Sequence, residues 1–197
     1  RSDQPMISND KRFIIVFNGE IYNYKELRIE LERLGHNFKT EGDTEVLLKS
    51  FVHWGENCLH RLNGMFAFLI YDRAKRVIFA ARDRFGIKPL YFYQEGEKIA
   101  FASEIKQFTE LKGFRKGLNQ DRALDFIAWR LFNHTNETMW KSVYQLRGGE
   151  KVSISIDETN IEVTDTILRW YSYEKLKNLP TQDLSIDDAV IKFRNLF

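Results

Sequence analysis

Gly64-Met65-Phe66-Ala67-Phe68-Leu69-Ile70-Tyr71-Asp72, a turn at Arg73-Ala74-Lys75, then Val77-Ile78-Phe79-Ala80-Ala81-Arg82-Asp83: two nearly continuous apolar runs of strand length flank a polar break. The pair predicts a hairpin buried on both faces, because a strand with one face in water alternates apolar and polar residues. Such a sheet needs cover on both sides. Upstream, Leu27, Leu31 and Leu34 recur at spacings of four and three within Tyr22 to Leu34, while Lys25, Glu26, Arg28, Glu30, Glu32 and Arg33 fill the other face. This is an amphipathic helix that Gly35 stops. A second runs through Val46, Leu47, Leu48, Phe51, Val52 and Trp54 to Gly55, with Asp43 or Thr44 as its cap, and a short third is predicted over Glu56 to Leu62. Downstream, Tyr91-Phe92-Tyr93 and Ile99-Ala100-Phe101-Ala102 continue the sheet around turns at Phe85 to Pro89 and Glu95-Gly96-Glu97. Helices therefore pack outside a pair of sheets, an α+β arrangement.

The remainder reads as a short helix after Glu104, a helix near Gln120 to Leu131, and a strand over Glu150 to Ile156. Asp165 to Pro180 sets Trp170, Tyr171 and Tyr173 among polar residues, like a docked connector. Leu184 to Phe197 resumes helical periodicity through Ile186, Ala189, Val190, Phe193, Leu196 and Phe197, as the opening helix of a further unit would.

With 197 residues, 43% of them hydrophobic, the chain can bury a core of ordinary size. No apolar run approaches the roughly 20 residues that span a bilayer, and Arg1 to Pro5 lack the apolar stretch of a signal peptide, so neither membrane nor export is expected. The 30 basic and 28 acidic residues are interspersed, which gives no footprint for nucleic acid. Gly148-Gly149 lacks the Lys-Ser/Thr of a phosphate loop. The single cysteine, Cys58, excludes a disulfide framework and a multi-cysteine zinc site and fits a reducing cytoplasm. His36, His53, His60 and His134 show no metal-binding spacing, so no metal is expected. Cys58 reads as a small buried hydrophobe, and His53 and His60, off its helical face, as solvated histidines.

The chemistry is concentrated where the strand Phe13-Ile14-Ile15-Val16-Phe17 meets Asn18-Gly19-Glu20-Ile21-Tyr22-Asn23-Tyr24. Asn-Gly at a strand end can present a side-chain amide beside a bare backbone N–H, the donor pair an oxyanion requires. The carboxylates of Glu20 and Asp43 could then hold an ammonium group, which makes the segment a pocket for a small zwitterion. Two plainer readings stand beside this one: Asn18-Gly19 as a tight turn, and Asp43 as a helix cap. Arg82-Asp83-Arg84 reads as an ion pair that holds the following loop.

Phe17 to Asn23, Gly42-Asp43-Thr44-Glu45, Leu62 to Phe68, Ala81 to Tyr91 and Phe101-Ala102-Ser103-Glu104, in this order, resemble the class II glutamine amidotransferase domain of glutamine-hydrolysing asparagine synthetases. The resemblance covers roughly Gln4 to Ile156, and the tail is similar to the linker and opening helix of that family's ATP-dependent synthetase domain. It implies an αββα four-layer sandwich of two antiparallel sheets of the N-terminal-nucleophile type, with an amidotransferase unit over 1–164 and the linker and first helix of a synthetase domain over 165–197. It also implies roles: Asn18 and the Gly19 N–H as oxyanion hole, Glu20 as a glutamine-binding residue, and Asp43 as acceptor for the α-ammonium. Glutamine and a synthetase domain in the same chain are the implied partners. A homodimer is a further expectation. ATP and Mg²⁺ are expected in the synthetase domain and no cofactor in this segment.

The family's nucleophile is an N-terminal cysteine with its own amine as base, followed by strands and an arginine that clamps the substrate carboxylate; this chain starts at Arg1, near the Gln4-Pro5-Met6 of the family pattern. The sandwich is therefore expected to be incomplete at its N-terminus, with an exposed edge, and the chain alone to release no ammonia from glutamine. Alternatives are a non-catalytic homologue that keeps the sandwich for docking, and another class II amidotransferase.

Overall fold

In the computed structural model, which describes residues 3–159, 161–177 and 183–195, the chain forms β1 (Met6–Ile7), β2 (Phe13–Ile21), α1 (Tyr24–Arg33), α2 (Asp43–Trp54), β3 (Gly64–Asp72), β4 (Val77–Arg82), β5 (Tyr91–Glu95) and β6 (Lys98–Ala102). These are followed by α3 (Gln120–Trp129), β7 (Val143–Gln145), β8 (Glu150–Ser155), β9 (Leu168–Arg169), α4 (Glu174–Lys177) and α5 (Ile186–Arg194). The two apolar runs pair as the expected antiparallel hairpin, Ala67 opposite Arg82 through Asp72 opposite Val77. They lie at the centre of a six-stranded sheet ordered β1-β2-β3-β4-β8-β9, and a three-stranded sheet ordered β6-β5-β7 packs against it.

Side-chain alternation assigns the layers. Phe13, Ile15, Phe17 and Ile21 point to one face of β2 and meet Leu27 and Leu31 of α1 and Val46 and Leu47 of α2. On the opposite face, Ala67, Ala80, Val152 and Ile154 meet Leu90, Phe92 and Leu146 at the second sheet. This double cover is why the hairpin carries no polar alternation: Phe66, Phe68 and Ile70 on the helix side have no exposed surface, each contributing about 1.5–3 kcal/mol by burial, and Ala67 and Ala80 on the other side are buried as well. The outer face of the second sheet is closed by a 3-10 helix over Ile105–Glu110, whose Phe108 packs with Tyr93 and Val143. Among the described residues this 3-10 helix covers that face; α3, which matches the helix expected near Gln120 to Leu131, buries none of its residues.

Several boundaries differ from the sequence reading. β2 continues through Asn18-Gly19-Glu20 to Ile21, so Asn-Gly is not a turn here. α2 is capped by Gly42 in extended conformation and Asp43 is its first helical residue, without a side-chain cap bond, because the Asp43 carboxylate is bonded elsewhere. The expected third helix is a 3-10 helix over Gly55–His60.

The loop after β4 is held by backbone capture, not by the expected ion pair. Arg82 donates to the carbonyls of Lys88, Leu146 and Gly86, each at 2.6 Å. Asp83, 1% exposed, accepts from the amides of Phe85, Ile87 and Lys88 at 3.0 Å and of Phe66 at 3.2 Å. No ion pair joins Arg82 or Arg84 to Asp83 among the described residues, since each group is already spent on the backbone.

The connector docks through Trp170. β9 pairs with β8, and the Trp170 indole, 8% exposed, stacks on Phe66 with centroids 6.1 Å apart while its Nε1 donates to the Arg82 carbonyl at 3.1 Å. Arg84 lies over the Trp170 and Tyr171 rings. Beyond it, α5 is capped by Ser185, whose hydroxyl accepts from the Asp188 amide at 3.1 Å, and buries no residue. The expected Pro180 end of the connector and the apolar positions Leu196 and Phe197 lie outside the described residues. Among the described residues, no helix is long and apolar enough to cross a membrane.

Candidate active site

β2 is the strand on which the candidate residues converge, and its hydrogen-bond alternation decides what it offers. Successive residues of a strand point their N–H groups to opposite sides. Phe66, the register partner of Gly19, spends its N–H on the Asp83 carboxylate and its carbonyl on the Asp83 amide. Gly19 and Phe66 therefore face each other without mutual hydrogen bonds, and the Gly19 N–H points away from β3.

On that outer edge the neighbouring donors are taken. The Phe17 N–H bonds Gln4 Oε1 at 2.6 Å, and Gln4 Nε2 returns a bond to the Phe17 carbonyl at 2.7 Å. The Ile21 N–H bonds Asp43 Oδ2 at 3.0 Å. Between them the Gly19 N–H has no partner among the described residues. Among the described residues, β1 pairs with Ile14 and Ile15 of β2 and does not reach Gly19.

Gly19 is required here by close approach. A Cβ built on it would sit 2.2 Å from the Met65 carbonyl oxygen and 2.8 Å from the Phe66 Cα. Asn18, one residue earlier, turns its side chain to the opposite face, into a cleft of about 420 Å³ between the sheets whose walls include Val16, Ala67, Leu69, Ala100 and Ser103. Its Nδ2 donates to Ser103 Oγ at 3.3 Å. Glu20 is exposed on the same side, and the end of β2 is fixed by Asn23, which donates to the Arg61 carbonyl and accepts from the Asn63 amide, both at 2.9 Å.

The four candidate residues thus share one end of β2. Asn18 Nδ2 and the Gly19 N–H are adjacent donors, and Asp43 lies two strand positions further, roughly 7 Å along the edge. One carboxylate oxygen of Asp43 holds Ile21 and the other has no partner among the described residues. A carboxylate at that distance from a donor pair matches a ligand with a carbonyl at one end and an ammonium at the other.

Neighbouring residues make the frame rigid. Glu45 accepts from the Lys39 and Thr40 amides and the Thr40 hydroxyl, and pairs with Lys49 at 3.3 Å. Burial pushes its carboxyl up, but these donors more than reverse that and hold it below the ordinary value of 4.5. A lowered folded value contributes stability that is complete above the ordinary value and is lost as pH falls through the lowered one. Unfolding free energy is therefore expected to fall more steeply from about pH 5 to about pH 3 in the wild type than in Glu45→Gln, as read by denaturant titrations at each pH.

Cys58 is fully buried, as expected, and burial pushes its thiol up to about 12, so it supplies no thiolate near neutral pH. His53 and His60 are exposed, but both have neighbours: His53 Nδ1 lies 3.0 Å from His36 Nε2, and His60 packs edge-on against Trp170. Burial, together with the nearby His53 and Lys49, holds His36 below its ordinary value. Among the described residues, no three His, Cys, Asp or Glu side chains gather as a metal ion would need. Gln4 and Ser103 carry no role in the sequence reading although both stand in the quoted motifs. Their partners, Phe17 and Asn18, lie 13 and 85 positions away.

The model of the glutamine amidotransferase domain matches residues 1–165. The chain belongs to this amidotransferase family. Among relatives, this amidotransferase chain is 34% identical over 196 residues to asparagine synthetase [glutamine-hydrolyzing] 3 of Bacillus subtilis, covering 98% of this chain and 30% of that protein. It is 44% identical over 128 residues to asparagine synthetase [glutamine-hydrolyzing] 1 of the same organism, covering 63% and 20%, and 42% identical over 151 residues to a putative asparagine synthetase of Mycobacterium tuberculosis, covering 75% and 23%. The chain spans less than a third of the length of these relatives. The glutamine phosphoribosylpyrophosphate amidotransferase of Bacillus subtilis, solved with ADP and GMP, superposes with a TM-score of 0.57 at 22% identity over 85% of this chain and 32% of that one, a likeness of fold.

Proposed function

We propose that this amidotransferase chain supplies the oxyanion and ammonium side of a glutamine-hydrolysing site in an asparagine synthetase. The observation that carries the reading is the free Gly19 N–H, set between two edge amides that Gln4 and Asp43 already occupy. In this reading the glutamine amide oxygen accepts from Asn18 Nδ2 and the Gly19 N–H, and both bonds strengthen as the carbonyl carbon becomes tetrahedral and the oxygen gains charge. The Asp43 carboxylate accepts from the α-ammonium, with Glu20 beside it. The products are glutamate and ammonia.

The attacking group of such a site is an N-terminal cysteine thiolate, and Cys58 is no substitute, being buried, protonated and without a free amine beside it. The ammonia would serve ATP-dependent amidation of aspartate, with ATP and Mg²⁺ held in the two-thirds or more of the relatives' length that this chain does not span. The connector and α5 would lead into that part, over 165–197.

Asn18→Ala in the full-length gene product tests the reading. Glutamate formation from glutamine is expected to drop by about 10²–10³ in kcat, while amidation with supplied ammonium salt is unchanged. An Asn18→Ala enzyme with wild-type kcat would remove the oxyanion assignment.

A further inference from the structure

We infer that Ser103 is a positioning residue for this site, fixing the Asn18 amide so that one N–H is presented to the oxyanion. The inference rests on the proposed glutaminase reading and deepens it.

A primary amide has two N–H bonds set about 120° apart in one plane. Asn18 donates one of them to Ser103 Oγ at 3.3 Å, and no other bond to its side chain occurs among the described residues. With one N–H tied, rotation of the amide is restrained and the second N–H has a defined direction at the mouth of the cleft. Without that bond, the amide can turn about its last torsion, a broad and soft one, and present Oδ1 where a donor is needed. An oxygen there would repel the developing oxyanion.

The support is itself immobile. Ser103 lies one residue past the last ladder pair of β6, where Ala102 faces Tyr91. It also lies one residue before Glu104, whose side chain and that of Gln107 cap the following 3-10 helix reciprocally. Its backbone is thus held from both sides, by the sheet and by the cap. Asn18 is in the six-stranded sheet and Ser103 at the end of β6 in the other, so the bond ties the two layers together at the site. The hydroxyl is the group that matters: an alanine at 103 fills the same backbone position without an acceptor, and a threonine keeps one.

The experiment is steady-state glutamine hydrolysis by the full-length gene product and its variants. Ser103→Ala is expected to lower kcat about tenfold with KM for glutamine within about twofold, because ground-state binding through Asp43 is untouched while the transition-state donor is misaligned. Ser103→Thr is expected to recover most of that loss. In an Asn18→Ala background, Ser103→Ala is expected to have no further effect, which a merely structural role would not produce. A full kcat in Ser103→Ala, a threonine variant as slow as the alanine one, or the same tenfold loss without Asn18 would each overturn the inference while leaving the glutaminase reading intact. A wild-type enzyme that forms no glutamate, or an Asn18→Ala enzyme as fast as wild type, would overturn both.

Discussion

Asp83→Ala is expected to remove most of the folding stability of this chain. The Asp83 carboxylate, 1% exposed, accepts from four backbone amides that belong to two different segments. Three of those amides, on Phe85, Ile87 and Lys88, would otherwise point inward from a loop that turns too sharply to pair them with carbonyls. The fourth, on Phe66, belongs to the central strand of the larger sheet. A buried donor left without an acceptor costs about 1–3 kcal/mol, so four of them approach the whole stability of an ordinary domain even if water reaches some. Asp83→Asn is expected to do intermediate damage: one of its oxygens still accepts two bonds, but the amide nitrogen meets two further N–H groups as a donor against donors. Denaturant unfolding followed by circular dichroism reads the order, with a loss of about 5 kcal/mol for alanine and a smaller loss for asparagine. An alanine variant within about 1 kcal/mol of wild type would mean that the loop rearranges to satisfy its own amides.

This aspartate also marks the limit of what could be read beforehand. The hairpin Gly64 to Asp83 is legible because burial on both faces removes polar alternation, a property of composition alone, and the helices flanking Gly35 and Gly55 are legible from apolar spacing. β1, β7 and β9 are not legible, since two or three residues are too few to show a period and pair only because neighbouring strands are already in place. A helix near Gln120 to Leu131 is legible and forms as α3, but that its apolar residues stay uncovered is not, because cover is supplied by the rest of the fold. Of the candidate site, the residue types and their spacing were visible, and so was the donor pair they imply. The direction of the Gly19 N–H was not, because it follows from the alternation of a strand that the sequence reading carries only to Phe17 and that in fact runs to Ile21. Nor were the partners Gln4, Ser103 and Asp83: the first two act through contacts 13 and 85 positions away, and Asp83 through loop amides two to five residues on together with Phe66, 17 positions back. Asp83 in particular was read as half of an ion pair, because a charge between two arginines invites that pairing until the backbone amides of the loop are seen to claim it.

Gly19→Ala is expected to abolish glutamine hydrolysis and to destabilise the chain at once. The added methyl would lie 2.2 Å from the Met65 carbonyl oxygen, 2.8 Å from the Phe66 Cα and 2.9 Å from a Phe17 ring carbon. Two of these are backbone atoms of a central strand, which cannot swing aside as a side-chain end would. Relief requires β2 and β3 to part by about an ångström at this pair, an overpacking cost of about 1–3 kcal/mol or slightly more. The direction of the shift is what links stability to chemistry. Phe66 is fixed from behind by Asp83 and by the stacked Trp170 indole, so the movement falls on β2, carrying the Gly19 N–H outward and tilting Asn18 with it. Donors useful to an oxyanion must stand within about 0.3 Å of their best distance, and losing one alone costs about 10²–10³ in kcat. Losing alignment of both is expected to take glutamate formation by the full-length gene product below detection. A variant weakened to a similar degree elsewhere separates the two effects: Ile154→Ala, in the core between the sheets, is expected to lose about 2–5 kcal/mol with kcat little changed below its melting range. If Gly19→Ala and Ile154→Ala lost activity only in proportion to the fraction unfolded, the glycine would be a packing requirement of the sheet, and the donor role assigned to its N–H would have to be withdrawn.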